Sequence, residues 1–460
     1  MLEFLYSIAG FIIALGILVA VHEFGHFWVA RKLGIKVLKF SVGFGRAIWS
    51  RTANDGTVYA VGVIPLGGYV KMLDENEGDV AVEEQHRAFN RQPIWKRSLV
   101  VLAGPMFNFF FAIAAYSLVF VNGVEGITPV VGKVVEGSVA EADGFRNGDV
   151  LLSLDGKKLN SWQEQRLYLF SKALARKTVS YEVRTSDGQE IRRTLNLANV
   201  PMSEIDAGLV AEGIGLIGWY PTVPPVIDQV ISGKPAARAG FLPGDLITAV
   251  DGEKVASWNE VVQLISDNPG KPLRIVVSRN GFFESISVIP EVVIDGEKQI
   301  GRIGISVKPI EIPEDRIVNT NYGLMESLYR GTETTWMMSV LTLRMLVKMV
   351  TLEVSSKNIS GPITIAQYAG KSAQVGLTSF ILFLAIVSVS LGVLNLLPIP
   401  ILDGGHLLYH LIEVITRKPV SEKLMIIGQQ VGILLLFLLM TIALYIDLGR
   451  LLNLAIIRTG

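Results

Sequence analysis

The chain has 460 residues, a length that suggests about three domains. Half of the residues are hydrophobic and 18% are charged, against roughly 25% in an average soluble chain, and the mean hydropathy is +0.44. Lys and Arg together number 42, as do Asp and Glu, so the charge gives no sign of a nucleic-acid partner; with no cysteine, disulfides, thiolate catalysis and Cys-bound metals are excluded.

Four uncharged apolar runs account for the high hydropathy. They cover residues 4–21, 98–121, 376–402 and 424–446. Each reaches about the 20 residues that cross ~30 Å of hydrocarbon. The sequence therefore predicts a polytopic α-helical membrane protein with four spans and a large aqueous insert between the second and third. The first run is not expected to be a cleaved signal peptide, because it lacks a basic n-region and an A-x-A site.

Basic residues set the expected orientation of the spans. They lie after the first run, before the second, and between the third and fourth: Arg31, Lys32, Lys36, Lys39, Arg46, Arg51, Arg91, Lys96, Arg97, Arg417, Lys418 and Lys423. Connections rich in Lys and Arg are usually cytoplasmic. Both termini and the insert are then expected on the opposite side of the membrane.

The first apolar run leads into an H-E-x-x-H motif formed by His22, Glu23 and His26. Histidines four residues apart lie on one helical face, so they can share a metal ion while the adjacent carboxylate activates water as a general base. Zinc suits such a site because its Lewis acidity brings the pKa of water toward 7. A bare match also occurs on water-facing helix surfaces, but the apolar context favours a functional site.

A β-hairpin is predicted between the first two spans. Residues 40–72 contain two alternating strand-like stretches around Asn54-Asp55-Gly56, which is a hairpin turn signal.

The insert repeats itself. Between 137–162 and 233–258 the same residues recur 96 positions apart: Gly137, Ala140, Gly144, Phe145, Gly148, Asp149, Asp155, Gly156, Lys158, Ser161 and Trp162. Such self-similarity indicates two copies of one domain. Each copy begins with a β-branched strand and ends with a glycine-flanked strand, at 213–218 or 301–306.

The pattern A-x-x-A-G-F-x-x-G-D-x-I-x-x-V-D-G in the second copy resembles the PDZ domains of bacterial proteases. The first copy departs from it with Asp143 where the second has Ala239. This resemblance implies two tandem circularly permuted PDZ-like α+β domains, which capture peptides by strand addition. A pair of steric caps with no ligand in either groove is the alternative.

Residues 332–350 offer a fifth candidate span. Glu333, Arg344 and Lys348 would be costly in lipid. A fifth span would also move the basic 417–418 loop to the other side of the membrane. We therefore expect an amphipathic helix on the outer membrane surface or packed on the spans.

The third apolar run ends in NLLPIPILDGGH, residues 395–406. Pro398 and Pro400 cannot continue a helix. An intramembrane carboxylate on unwound backbone is tolerated where it lines a cavity or binds a cation. Asp403 is therefore the predicted third ligand of the metal, with His406 as the alternative. Parallel first and third spans would bring both histidines and Asp403 to the same depth.

The motifs HEFGH at 22–26, AGPMFN at 103–108 and NLLPIPILDGG at 395–405, together with the paired repeats, resemble the site-2 proteases. The resemblance implies an intramembrane zinc metalloendopeptidase of regulated intramembrane proteolysis. One zinc ion would be held by His22, His26 and Asp403, and Glu23 would be the catalytic acid/base.

The resemblance also implies a setting and substrates. The protein would lie in a bacterial inner membrane, with the PDZ-like domains and both termini periplasmic and the active site near the cytoplasmic face. Its partners, besides the lipid bilayer, would be single-span membrane proteins: an anti-sigma factor already trimmed by a first protease, in a stress response, and remnant signal peptides. The PDZ pair would exclude substrates with intact folded ectodomains.

Candidate substrate-binding residues come from the same resemblance. The hairpin edge would pair with an unwound substrate, with Gly67, Gly68 and Tyr69 as its candidates; a plain cytoplasmic hairpin is the alternative. Pro398, Pro400 and Asn395 match the family's residues before L-D-G. Asn395 is expected to hydrogen-bond the substrate backbone, unless an interhelical bond satisfies it.

The expected domains are a membrane domain at 1–126 and PDZ-like domains at 127–221 and 222–310. An amphipathic periplasmic segment at 311–375 and a second membrane part at 376–460 follow. A catalytically dead scaffold is disfavoured because all four predicted site residues are present. A metal transporter is disfavoured because the other spans carry few polar residues apart from Gln429 and Gln430.

Overall fold

The computed structural model describes residues 2–76, 78–201, 209–295, 298–308, 312–351 and 361–459. Within these ranges, four helices are long and apolar enough to cross a membrane: Leu5–Lys32, Ile94–Asn122, Leu377–Asn395 and Lys423–Gly449. The prediction of four spans is confirmed. The third span stops at Asn395, before the prolines, and a new helix starts at Asp403.

The elements are numbered in chain order. The helices are α1 Leu2–Lys32, α2 Ile94–Asn122, α3 Val139–Ala142, α4 Gln165–Leu174, α5 Pro235–Ala239, α6 Trp258–Ser266, α7 Leu324–Val350, α8 Pro362–Val375, α9 Leu377–Asn395, α10 Asp403–Thr416 and α11 Glu422–Thr459. The strands are β1 Val37–Thr52, β2 Val58–Met72, β3 Val124–Ile127, β4 Val131–Val134, β5 Val150–Leu154, β6 Lys157–Lys158, β7 Thr178–Arg184, β8 Glu190–Asn196, β9 Leu216–Gly218, β10 Ile227–Val230, β11 Leu246–Val250, β12 Glu253–Lys254, β13 Leu273–Arg279, β14 Phe282–Val288, β15 Glu291–Asp295, β16 Lys298–Arg302, β17 Ile305–Val307 and β18 Ile317–Thr320.

The predicted hairpin is formed by β1 and β2. Its turn lies where the sequence places it: Gly56 has a φ of +83°, and the N–H of Thr57 donates to Asp55 Oδ1 at 3.0 Å. Each strand also doubles back on itself, since residues 39–42 pair with both 68–71 and 58–61. The segments therefore lie side by side in the order 68–72, 37–42, 58–62 and 47–52, which makes 68–72 an outer segment.

The two repeats have the same topology. Each contains a four-stranded sheet, ordered β6-β5-β7-β8 in the first and β12-β11-β13-β14 in the second. In each, the last strand pairs with the first, β9 with β4 and β17 with β10. Asp155 and Asp251 have φ of +49° and +47°, as the two D-G turns require. Each repeat also has its own buried core.

The insert leaves and rejoins the spans through one two-stranded ladder, called here the stem. In it β3 pairs with β18, and Ile127 lies opposite Ile317. The expected domain boundary between residues 126 and 127 therefore falls inside a strand that belongs to the stem.

Tyr322, just after the stem, ties the first repeat to it. The tyrosine hydroxyl donates to Glu164 at 2.8 Å and accepts from Asn160 at 3.0 Å. Burial and the nearby Glu164 raise the pKa of Tyr322 to about 12, so the hydroxyl keeps its proton and remains a donor. Arg330 lies 3.8 Å from the ring centre.

Residues 332–350 lie in α7, which is not among the four helices with spanning composition. One face of α7 packs along α2, where Gly331 lies against Ser117. On another face, Leu341 and Met345 contact the core of the first repeat. The expectation of a helix packed on the spans is confirmed.

The segment expected at 311–375 contacts the first span at its C-terminal end. Its last part forms α8, which packs against the first half of α1. A Cβ added at Gly370 would lie 2.5 Å from Ser7 Cα, and one at Gly10 would lie 3.0 Å from the Ala369 carbonyl carbon. Small residues permit this backbone contact, as is common between membrane helices.

A buried carboxylate joins α11 to α8. Asp447 of α11 accepts hydrogen bonds from the N–H groups of Gly361, Ile363 and Thr364 at 3.1, 2.9 and 3.0 Å. The Thr364 hydroxyl donates to it at 2.5 Å. The first N–H groups of a helix lack intrahelical acceptors. Asp447 supplies the missing N-cap from a neighbouring helix.

Replacing Asp447 by Ala should lower the free energy of unfolding by about 2–4 kcal/mol, because buried donors would lose a charged acceptor. Thermal unfolding of the purified protein in detergent measures the change. The matched control is Thr441→Ala, which removes an exposed hydroxyl from the same helix and should cost less than about 0.5 kcal/mol. Equal stability of the two variants would contradict a capping role for Asp447.

Candidate metal centre

The structure brings the three predicted metal ligands together. His22 and His26 lie one turn apart on α1, with their Nε2 atoms separated by 3.2 Å. Asp403, the first residue of α10, places Oδ2 at 3.2 Å from His22 Nε2 and Oδ1 at 3.6 Å from His26 Nε2. Their ligand atoms all lie within 4.8 Å of one another, and no other group of this kind occurs among the described residues.

These spacings fit a tetrahedral zinc ion. Zinc binds imidazole nitrogen and carboxylate oxygen at about 2.0–2.2 Å, so two ligand atoms of a tetrahedral site are about 3.3–3.6 Å apart. In addition, Asp403 Oδ2 is buried and forms no hydrogen bond. A buried acceptor without a donor is costly, and a cation would satisfy it. The residues present therefore suit zinc.

The orientation of His26 is fixed by α2. Its Nδ1 lies 2.8 Å from the carbonyl oxygen of Val100. A carbonyl only accepts, so Nδ1 carries the proton and Nε2 presents its lone pair to the centre of the site. Metal-binding histidines commonly have this partner on the second nitrogen.

Asn108 gives His22 a similar partner. The side-chain amide of Asn108 lies 3.2 Å from His22 Nδ1 through Nδ2, while its Oδ1 is buried without a hydrogen bond. The two amide positions are assigned from the hydrogen-bond network. If the Oδ1 and Nδ2 positions of Asn108 are exchanged, Oδ1 accepts the proton on His22 Nδ1, and the amide oxygen is no longer without a partner. Because the proton then lies on Nδ1, the Nε2 lone pair of His22 is available to a metal. We infer that orientation.

Asn108 was missed in the sequence because a single amide in an apolar helix gives no spacing signal. It belongs to AGPMFN, the motif that supports the resemblance, but the motif assigns it no contact. Its backbone carbonyl also accepts from Ser388 of α9 at 2.8 Å, which ties the second span to the third at this level.

α1 and α2 cross with their backbones almost in contact at the site. A Cβ added at Gly25 would lie 2.5 Å from the carbonyl oxygen of Ala103. A Cβ at Gly104 would overlap the imidazole of His26 and lie 2.7 Å from Cε1 of His22. Glycine at 25 and 104 therefore lets α2 reach both histidines.

Asp403 is held in place by the helix that it begins. Its carboxylate lies at the N-terminus of α10, where the helix dipole favours negative charge. Further along α10, Glu413 pairs with Arg97 at 2.8 Å, and His410 lies 3.1 Å from the Ser98 hydroxyl. Both contacts join α10 to the start of α2. His406, the alternative third ligand, is not part of the ligand group.

Glu23 lies beside the hairpin. A Cβ added at Gly68, on the outer segment 68–72, would lie 2.9 Å from Glu23 Cγ. The hairpin backbone therefore runs directly against the predicted base. Gly67 and Tyr69 instead pack on Phe44, whose ring is stacked on Tyr69 at 6.2 Å and fills the space where Gly67 lacks a side chain.

The three candidates before the L-D-G motif lie where α9 ends. Asn395 is its last residue and is half-buried, and its side-chain amide has no hydrogen-bond partner among the described residues. The alternative of a satisfied interhelical amide is therefore not seen. Pro398 is exposed, while Pro400 is half-buried and contacts α11 near Gly428.

The role inferred for Asn108 can be tested by zinc affinity. Asn108→Leu should weaken zinc binding about 10- to 100-fold, because His22 loses the partner that sets its tautomer. Asn108→Asp keeps an acceptor at the same place and should bind zinc at least as tightly as the wild type. Competition with a chromophoric chelator measures both. Weak binding by Asn108→Asp together with normal binding by Asn108→Leu would contradict the inferred amide orientation.

Comparison with known proteins gives a consistent family assignment. The pattern of peptidase family M50 matches residues 10–439. The regulator of sigma-E protease RseP of Escherichia coli is 42% identical over 451 residues, covering 98% of this chain and 100% of the relative. A Vibrio cholerae protein provisionally named a zinc metalloprotease is 40% identical over 460 residues, with the same coverage.

Among solved structures, the PDZ domain of an SdrC-like protein from Listeria monocytogenes is similar to part of the chain. It is 27% identical and covers 20% of this chain and 93% of its own, with a TM-score of 0.16.

Proposed function

The chain belongs to peptidase family M50 and is a site-2-type metalloprotease, and from this premise we propose that it cleaves single-span membrane proteins inside the bilayer. His22, His26 and Asp403 hold one zinc ion, and Glu23 is the catalytic acid/base. The observation that carries this proposal is the meeting of three ligand atoms within 4.8 Å, from α1 and from α10.

The chemistry is divided between the metal and the chain. Zinc, when bound, supplies Lewis acidity toward the peptide carbonyl and toward water. Glu23 takes the proton from the attacking water and delivers it to the departing amide nitrogen. Val100 and Asn108 hold the imidazoles so that both Nε2 lone pairs face the centre.

The substrate must be extended to be cut, because a helix hides its carbonyls in i→i−4 hydrogen bonds. The outer hairpin segment 68–72 offers an edge for strand addition, and Gly68 places that edge against Glu23. Gly67 and Tyr69 shape the same edge through Phe44. We assign these three residues to substrate binding.

The end of the third span contributes to the same task. Asn395 has a half-buried amide that can pair with an extended backbone. Pro398 and Pro400 keep the chain between α9 and α10 from forming a helix, so this segment stays open beside Asp403.

The setting and substrate class follow from the relatives and from charge. The E. coli relative is named a regulator of sigma-E protease, so the substrate proposed here is an anti-sigma factor that another protease has already trimmed, with remnant signal peptides as a second class. The basic connections support a metal centre near the cytoplasmic face of a bacterial inner membrane. The insert and both termini are then periplasmic.

The insert is proposed to be a size gate made of two circularly permuted PDZ-like domains. Pairing of the last strand with the first in each repeat supports the permuted order. The first repeat contacts α7, which in turn packs on α2, so this repeat is fixed above the spans. A folded ectodomain on the substrate would then collide with the insert.

Removal of the catalytic base gives the main test. With purified protein and a single-span reporter, Glu23→Gln should lower the cleavage rate about 10²- to 10⁴-fold while zinc remains bound. Asp403→Asn should lose both zinc and activity, and Glu326→Gln, an exposed residue on α7, is the matched control. Equal cleavage by the wild type and Glu23→Gln would overturn the mechanism.

The gate is tested by deleting the insert at the stem. Residues 128–316 can be replaced by a short Gly-Ser linker, because Ile127 and Ile317 are paired neighbours. This variant should cleave a reporter that keeps its folded ectodomain, and the same deletion with Glu23→Gln should not. Continued dependence on prior trimming would count against a gate while leaving the catalytic proposal intact.

A further inference from the structure

A groove lies between α1 and α2 that the proposed mechanism does not use. It encloses about 490 Å³, within the roughly 300–1,000 Å³ of ligand pockets. Its lining is entirely apolar: Ala20, Val21, Phe24, Phe40, Phe107, Phe110 and Phe111. Phe24 and Phe110 are 44% and 54% exposed, which leaves the groove open to the surroundings of the spans.

The cation of Lys32 lies beyond one end of the groove, on α1. Ala20, Phe24, Trp28 and Lys32 recur every four residues, so they form one stripe along α1. The Trp28 ring lies 5.9 Å from Phe107 at the groove, and Lys32 Nζ lies 5.7 Å from the Trp28 ring. Among the described residues, no carboxylate pairs with Lys32.

The length of the stripe decides between two kinds of occupant. From Ala20 to Lys32 the helix rises twelve residues, about 18 Å at 1.5 Å per residue. One leaflet contributes about half of the ~30 Å hydrocarbon core, whereas a transmembrane helix needs all of it. The stripe therefore matches the depth of a single lipid.

We propose that this groove binds an anionic phospholipid, with one acyl chain among the phenylalanines and the phosphate at Lys32. Trp28 lies between the two, at the level where aromatic residues favour the interface. Lys36, the next basic residue on the chain, is paired with Glu84, so Lys32 is the cation that attracts an anionic headgroup at this position.

An acyl chain here would lie against the helix crossing at the metal centre. Phe107 lines the groove, and its Cβ would lie 3.0 Å from a Cβ added at Gly25. The bound lipid would therefore cover the outer side of the contact that holds α2 against the histidines.

Lipid titration of the full-length protein tests the proposal. Native mass spectrometry in detergent would compare dioleoylphosphatidylglycerol with dioleoylphosphatidylcholine. We expect one tightly bound phosphatidylglycerol, about fivefold weaker binding of it by Lys32→Gln, and weaker binding of both lipids by Ala20→Phe, which fills the groove. Phe110→Ala, which removes an exposed side chain that lines the groove, should also weaken the binding of both lipids.

Controls on another span separate the site from general effects. Lys423→Gln and Leu434→Phe alter an exposed cation and an exposed apolar residue of α11 and should leave lipid binding unchanged. Zinc content and elution as a single species establish that each variant is folded. Equal binding of the two lipids, unchanged by Lys32→Gln, would overturn the headgroup assignment. Normal lipid binding by folded Ala20→Phe and Phe110→Ala, with reporter cleavage lost, would assign the groove to substrate instead.

Discussion

The contact on which the site depends is the crossing of α1 and α2 with almost no side chain between them. Apolar helices in lipid gain little from the hydrophobic effect when they associate, so close packing and hydrogen bonds must hold them together. Gly25 and Gly104 provide the packing, and the Val100 carbonyl provides a hydrogen bond. If the helices moved apart by the width of a methyl group, His26 would lose its partner on α2.

Polar side chains elsewhere in the membrane part also hold helices together. Asp447 meets the first turn of α8, and Arg97 meets Glu413 across two helices. Each of these side chains would be expensive in lipid and is therefore paired with a different helix. The pairs fix distances between helices that apolar packing alone would leave adjustable. The three proposed metal ligands are the extreme case, because their ligand atoms converge within 4.8 Å of one another.

Local signals in the sequence were sufficient for much of the fold. Run length predicted the four spans, the N-D-G triplet predicted the hairpin turn, and a 96-residue offset predicted two repeats with equal sheets. The H-E-x-x-H spacing predicted that His22 and His26 meet, and the carboxylate that follows Pro398 and Pro400 predicted that Asp403 joins them. The doubling of the hairpin, the stem across the expected boundary and the place of α8 beside α1 were not predicted. These features depend on pairings between distant segments and on small residues, whose effect is visible only once their neighbours are known. The contacts of Asn108 and Asp447 were not predicted for the same reason.

The distance along the chain between the ligands has a consequence for biosynthesis. His26 and Asp403 are 377 residues apart, and ribosomes add about 5–20 residues per second. Roughly 20–75 seconds therefore separate their appearance. A nascent chain that already carries His22, Glu23 and His26 still lacks Asp403, the third proposed ligand, until its third span has been synthesised. The separation of the proposed ligands therefore delays assembly of the metal centre until the chain has been synthesised past residue 403.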